Sequence, residues 1–204
     1  MSEITCYFSP QSGYAYLGHA RLVAMAHEHG ATISWRPVDI LKVFAEGGST
    51  APAKQSPQRN AYRKLDIVRW AKRAAIPIKT EPAFWPTDTL PACRMIAAAQ
   101  LEGIDPAALI GACLCAVWAR DIQISDRANL IRLAGEVGLD GARLAELSDA
   151  VAAAEQVARN TAEASAAGVF GSPSYVVGGE LFFGQDRLDF VSEKLTRMAQ
   201  EAAR

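Results

Sequence analysis

The sequence predicts an α/β fold interrupted by an all-helical insertion. Three observations carry that expectation. Residues 1–43 read strand, helix, strand. Residues 44–168 hold a long loop followed by successive helical patterns, and residues 169–204 return to two short strands and a closing helix.

The first strand is read at Ile4–Phe8, which is rich in β-branched and aromatic side chains. A tight turn carrying Ser9 and Ser12 follows. Leu17, Ala20, Val23 and Ala24 then recur at helical spacing. "HEHG" closes this helix, because histidines suit the negative end of a helix dipole and Gly30 suits the position just past it. "TISWRPV" reads as a second strand, and strand–helix–strand at this spacing predicts a parallel crossover.

From Phe44 to Gln58 the chain is rich in Gly, Ser, Pro and Ala, the composition of a long loop. Helical patterns follow in "QRNAYRKLDIVRWAKRAA", "TLPACRMIAAAQLEG", "DPAALIGACLCAVWARD" and "DRANLIRLAGEVG", then in the unbroken stretch 140–168. Asp88, Asp105, Asp126 and Asp140 stand near helix starts, and Gly103, Gly138 and Gly168 at helix ends. No fixed-period repeat is visible. "SYVV" and "ELFF" flank Gly178–Gly179, a two-residue hairpin turn. Asp186 then opens a helix with Leu188, Val191, Leu195 and Met198 on one face. The order βαβ, helical block, ββα is the layout of a thioredoxin-like fold. Residues 1–43 and 169–204 would form its discontinuous domain, and 44–168 the insertion.

Composition narrows the function classes. Half of the 204 residues are hydrophobic, 21% are charged and the formal net charge is −1, which argues against nucleic acid as the main partner. No apolar run approaches the ~20 residues that span a bilayer, so no membrane is expected. The N-terminus lacks a basic segment followed by an apolar stretch, which sets an expectation of the cytoplasm. Cys6, Cys93, Cys113 and Cys115 form no C-x-x-C pair and no zinc spacing, and all four read as buried free thiols. His19, His27 and His29 do not converge as three metal ligands.

The chemistry is expected in the turn after the first strand. Redox members of this fold place C-x-x-C there, at a helix N-terminus that acidifies the thiols. Here the tetrapeptide is Ser12-Gly13-Tyr14-Ala15, so dithiol exchange at that turn is excluded. Ser12 has two readings: a helix N-cap, or a hydroxyl that donates to an external thiolate bound at the positive helix end. Ser172-Pro173 stands before a strand, where this fold carries a cis-proline. The residue ahead of that proline can pair with a peptide thiol's backbone like an added strand. Lys54, Arg59, Arg63, Lys64, Arg69, Lys72 and Arg73 stand against Asp66 alone, either as a solvated helix face or as a field that attracts anions.

"SGYAYLGHARL" resembles the S-P-[FY]-S-[YW]-L start of the 2-hydroxychromene-2-carboxylate isomerases and kappa-class glutathione transferases. "GVFGSPSYVVGGELFFGQDRL" resembles their G-V-F-G-V-P-T…[FW]-[FW]-G-[QN]-D-R-L signature, and "LDIVRWAKRAAIPI" is similar to their segment after the long loop. The likeness runs over nearly the whole chain. It implies a DsbA-like thioredoxin fold, glutathione as cofactor, Ser12 as the thiol-activating residue and a homodimer. It carries glutathione binding onto Ser172, Pro173, Phe183, Gly184, Gln185 and Asp186. Asp186 would meet the γ-glutamyl ammonium or cap the last helix. An asparagine and a lysine of the kappa long loop fall near Thr50 and Arg59, where both residue types differ. Gly13 replaces a proline of the pattern and Ala15 a serine; glycine in a first turn is expected to be less pre-organised. The implied activity is glutathione-dependent isomerisation of an aromatic carboxylate. The alternatives are conjugation of glutathione to an electrophile and non-catalytic binding of a thiol peptide.

Overall fold

Alternation and β-branching form the first strand, β1 (Glu3–Phe8), and the Ser12 turn leads into α1 (Gly13–Glu28). β2 (Thr32–Pro37) lies parallel to β1, pairing Ile4 with Ile33 and Cys6 with Trp35. The computed structural model describes residues 2–203. β3 (Ser174–Val177) runs antiparallel to β1, pairing Cys6 with Tyr175, and β4 (Glu180–Phe183) closes the hairpin. The sheet order β2-β1-β3-β4 is the thioredoxin-like arrangement that the element order implies.

The loop expected at 44–58 is shorter than its composition suggests. α2 (Ile40–Glu46) occupies its start, and the Asp39 carboxylate accepts the Leu41 and Lys42 N–H groups. A 3-10 turn at Pro52–Lys54 precedes α3 (Pro57–Ala74), which Ser56 caps. The helical block continues as α4 (Leu90–Leu101), α5 (Ala107–Trp118) and α6 (Arg127–Glu136). The stretch 140–168 is two helices, α7 (Gly141–Ser148) and α8 (Val151–Ala166). The break at Asp149–Ala150 contains neither Gly nor Pro; Asp149 instead pairs with Arg127 at 2.8 Å. The aspartates near helix starts act as expected: Asp126 and Asp140 accept N–H groups at 2.8 and 3.0 Å. Gly103, Gly138 and Gly168 adopt the left-handed backbone that ends helices.

Asp186 does not cap the last helix. A 3-10 turn at Gln185–Arg187 leads into α9 (Leu188–Ala202), whose N-cap residue is Arg187, and Asp186 pairs with Arg187 at 2.9 Å. One apolar cluster holds Ile4, Phe8, Leu22 and Trp35 of the α/β segments together with Ile96, Leu114 and Trp118 of the helical block. α1 is the shared wall of the two parts. Among the described residues, no helix is long and apolar enough to cross a membrane.

Candidate active site

The Ser12 turn opens on a cavity of about 1230 Å³. Ser9, Gln11, Ser12, Gly13 and Tyr14 form its floor, and Ser172 and Phe183 line it from the β3–β4 side. α2, α3 and the loop between them close it with Phe44, Thr50, Lys54, Arg59 and Arg63. Trp85 and Asp88 complete the wall. Cavities for single small ligands commonly hold about 300–1000 Å³, so this one has room for a peptide and a second molecule.

Ser12 is a cap and more than a cap. Its Oγ accepts the Ala15 N–H at 3.2 Å and donates to the Ser172 carbonyl at 3.0 Å. The Ser9 N–H donates to Ser172 Oγ at 2.9 Å. Two hydrogen bonds therefore tie the turn to the residue before Pro173, and the Ser172–Pro173 peptide is cis. The Ser9 hydroxyl, 1% exposed, has no partner among the described residues. Gly13 and Tyr14, in the first turn of α1, line the cavity beside Ser12, where a helix's positive end favours an anion.

Gly13 is held rather than loose. A Cβ at Gly13 would stand 2.9 Å from Cζ2 of Trp118, a side chain 1% exposed. Trp118 Nε1 donates to the Gln11 carbonyl at 3.0 Å, and the Thr87 N–H donates to Gln11 Oε1 at 2.9 Å. The helical block thus clamps the turn from both ends of Gln11. Trp85 packs on Trp118 with ring centroids 5.8 Å apart, and the Arg63 guanidinium lies 4.3 Å above the Trp85 ring. Trp85 and Trp118 carry no local sequence signal of this role; only tertiary packing brings them to the turn.

The electrostatics favour an anionic ligand. Lys54, Arg59 and Arg63 line the cavity and enter no ion pair among the described residues. Asp88 is the one carboxylate among the described lining residues. Lys64, by contrast, pairs with Glu81. The Tyr14 hydroxyl donates to Asp66 at 2.9 Å, and burial and that carboxylate push its ionisation upward, so it stays protonated. His19, on α1 and beside Trp35, is bonded to the Ala107 carbonyl at 2.9 Å, and desolvation lowers its pKa. With no histidine among the described lining residues, a thiol here would be ionised by hydrogen bonding and field rather than by an adjacent base.

Of the residues singled out in the sequence, Ser12, Ser172, Phe183, Thr50 and Arg59 line the cavity. Pro173, Gly184, Gln185 and Asp186 stand behind that wall. The Gly184 N–H donates to the Pro173 carbonyl at 2.9 Å. Gln185 is buried against α1, where Gly18 leaves it room. Asp186 is exposed and engaged with Arg187. Phe183 packs on Phe170, with centroids 4.6 Å apart, and over Gly171.

Three cysteines are buried as expected, but Cys115 is only partly buried. Burial pushes the Cys6 and Cys93 thiols up and that of Cys113 to about 12. An aromatic disulfide reagent should therefore modify one thiol of the native protein rapidly, Cys115, and the others only on unfolding. Rapid loss of two or more thiols in the native state would contradict this.

The chain is 29% identical to a 2-hydroxychromene-2-carboxylate isomerase of Sphingobium xenophagum over 94% of its own length and 97% of that protein's. It is 22% identical to glutathione S-transferase kappa 1 of Rattus norvegicus over 91% of its own length and 87% of that protein's. A solved 2-hydroxychromene-2-carboxylate isomerase superposes with a TM-score of 0.81 at 25% identity, covering 98% of both chains. The DSBA-like thioredoxin domain matches residues 3–196. A thioredoxin-like sheet, a helical block clamped onto the turn after β1, and a match over nearly the full length all agree: this chain belongs to the DSBA-like thioredoxin domain family.

Proposed function

We propose that the protein is a glutathione-dependent isomerase of 2-hydroxychromene-2-carboxylate-like aromatic compounds. The observation that carries this reading is Ser12: a hydroxyl at the positive end of α1, on the wall of a large cavity lined by three cations, Lys54, Arg59 and Arg63, unpaired among the described residues, and one carboxylate, Asp88. The names of the relatives support an enzyme of this kind.

The residues present fit glutathione, a peptide with two carboxylates. Lys54 and Arg59 offer unpaired cations to them. The Ser172 N–H donates to no protein acceptor among the described residues, which leaves it for a peptide carbonyl. When bound, glutathione supplies a thiolate that adds to a conjugated cyclic hemiketal, opens the ring, frees a bond to rotate and leaves again. Ser12 would turn its O–H from the Ser172 carbonyl to the sulfur, and the first-turn N–H groups would hold the negative charge. Ser12 and Ser172 together would fix the sulfur's position, which lowers the barrier by orientation as well as by charge. The second substrate would lie against Trp85, Phe170 and Phe183. A cytoplasmic homodimer is part of the same reading.

Conjugation of glutathione to an electrophile is the second reading, favoured by the apolar share of the cavity wall and by the rat relative's name. Incubation with 2-hydroxychromene-2-carboxylate and a small amount of glutathione separates them. Conversion of many equivalents of substrate to the trans-benzylidenepyruvate, with glutathione recovered intact, is expected. Stoichiometric loss of glutathione would assign a transferase, and binding without turnover a thiol-peptide binder.

A further inference from the structure

We infer that Arg63 and Trp85 form an anion subsite for the second substrate, one that selects planar carboxylates over their neutral analogues. This rests on reading the cavity as a two-substrate site. The Arg63 guanidinium carbon stands over the Trp85 ring, 4.3 Å from its centroid, a contact that restrains the guanidinium while leaving its N–H groups to be aimed. Arg63 lines the cavity and is half-buried. Its Nε is enclosed without a hydrogen-bond partner among the described residues, and its Nη atoms meet no protein acceptor there.

Acids near Arg63 are already engaged. Asp66, one turn along α3, accepts from the Tyr14 hydroxyl at 2.9 Å, and Glu81 pairs with Lys64. A half-buried cation with its neighbouring carboxylates committed elsewhere is a costly arrangement unless a ligand supplies the counter-charge. Snorkelling alone would account for the stacking on Trp85 but not for an enclosed Nε without an acceptor. The occupant's shape follows from the walls. The planar guanidinium fork matches a carboxylate edge-on, and Tyr62, Phe170 and Phe183 on the cavity wall suit a flat apolar body behind that carboxylate. Lys54 and Arg59, on the exposed side of the cavity, remain for glutathione's own carboxylates.

The test is direct binding of trans-cinnamate and trans-cinnamamide, measured by calorimetry and by tryptophan fluorescence. Glutathione is titrated in parallel. The wild-type chain should bind cinnamate roughly tenfold more tightly than the amide. Arg63→Met should abolish that preference while leaving glutathione affinity within about twofold. Arg63→Lys, which keeps the charge but loses the planar stack, should retain a weaker preference. The subsite is overturned if wild type shows no preference, if the preference survives in Arg63→Met, or if glutathione weakens as much as cinnamate, which would assign Arg63 to the peptide. Failure of glutathione to bind, with the cinnamate preference intact and lost in Arg63→Met, would overturn the glutathione reading and leave the subsite standing.

Discussion

Replacing Ser12 by alanine is expected to lower turnover roughly tenfold to a hundredfold, since a hydrogen bond to a charged group is worth about 1.5–3 kcal/mol. Glutathione affinity should change far less, because Ser172, Lys54 and Arg59 offer contacts that the substitution leaves in place. Ser12 also accepts from Ala15 and donates to the Ser172 carbonyl, so the same change should cost about 1 kcal/mol of stability through the lost cap. The two roles separate by measurement. Steady-state kinetics and thermal unfolding are run on Ser12→Ala and Ser12→Thr, the latter keeping a hydroxyl. Turnover lost in the alanine variant and largely kept in the threonine variant would identify the hydroxyl as the working group. An unchanged kcat with a lowered Tm would reduce Ser12 to a helix cap.

The second large effect is expected at Gly13, and it runs against the usual preference. Proline at the first position of a helix is normally favourable, because its missing N–H has no intrahelical partner there. At Gly13 any Cβ meets the benzo ring of Trp118 at 2.9–3.1 Å. Trp118 has little room to yield: it is buried, bonded through Nε1 to the Gln11 carbonyl, and packed on Trp85. Gly13→Pro and Gly13→Ala should therefore destabilise by about 1–3 kcal/mol, the usual cost of overpacking. For a chain of this size that is a fall in Tm of about 2–4 °C for each kcal/mol. Combining Gly13→Ala with Trp118→Phe should cost less than the sum of the two single changes, because the smaller ring vacates the contact. Additive losses, or a Tm raised by Gly13→Pro, would show that the indole does not confine this turn.

The residues that were legible in the sequence are those whose constraints are local. Gly178–Gly179 needs left-handed backbone in a hairpin, and the structure has φ of +55° and +78° there. Ser12, Asp126 and Asp140 announce helix starts because a side-chain oxygen reaches an N–H three residues on. The Asp39 cap of α2 obeys the same rule, but its short helix lies inside a stretch whose Gly and Ser content argued for a loop. The division of α7 from α8 has no breaker residue; Asp149 is drawn to Arg127, which precedes it by 22 positions. The site divides the same way. Ser12, Ser172 and Phe183 were visible as motif residues. Trp85, Trp118 and the isolation of Arg63 were not, because each depends on which partner a distant segment brings to it. Glycine at position 13 read as freedom in the sequence and proved to be a fit to an indole.

The contacts that shape the turn also set when it can exist. Gln11 is held by Thr87 and Trp118, at separations of 76 and 107 residues, and the Ser9–Ser12 turn is held by Ser172 across 163 and 160. Closing loops of that length is entropically slow compared with forming a helix. On a ribosome, β1 and α1 emerge early, yet the cavity-facing side of their junction stays incomplete until residue 172 has been made and docked. The cavity around Ser12 is thus among the last parts of the molecule to be assembled, although Ser12 itself is among the first residues to be synthesised.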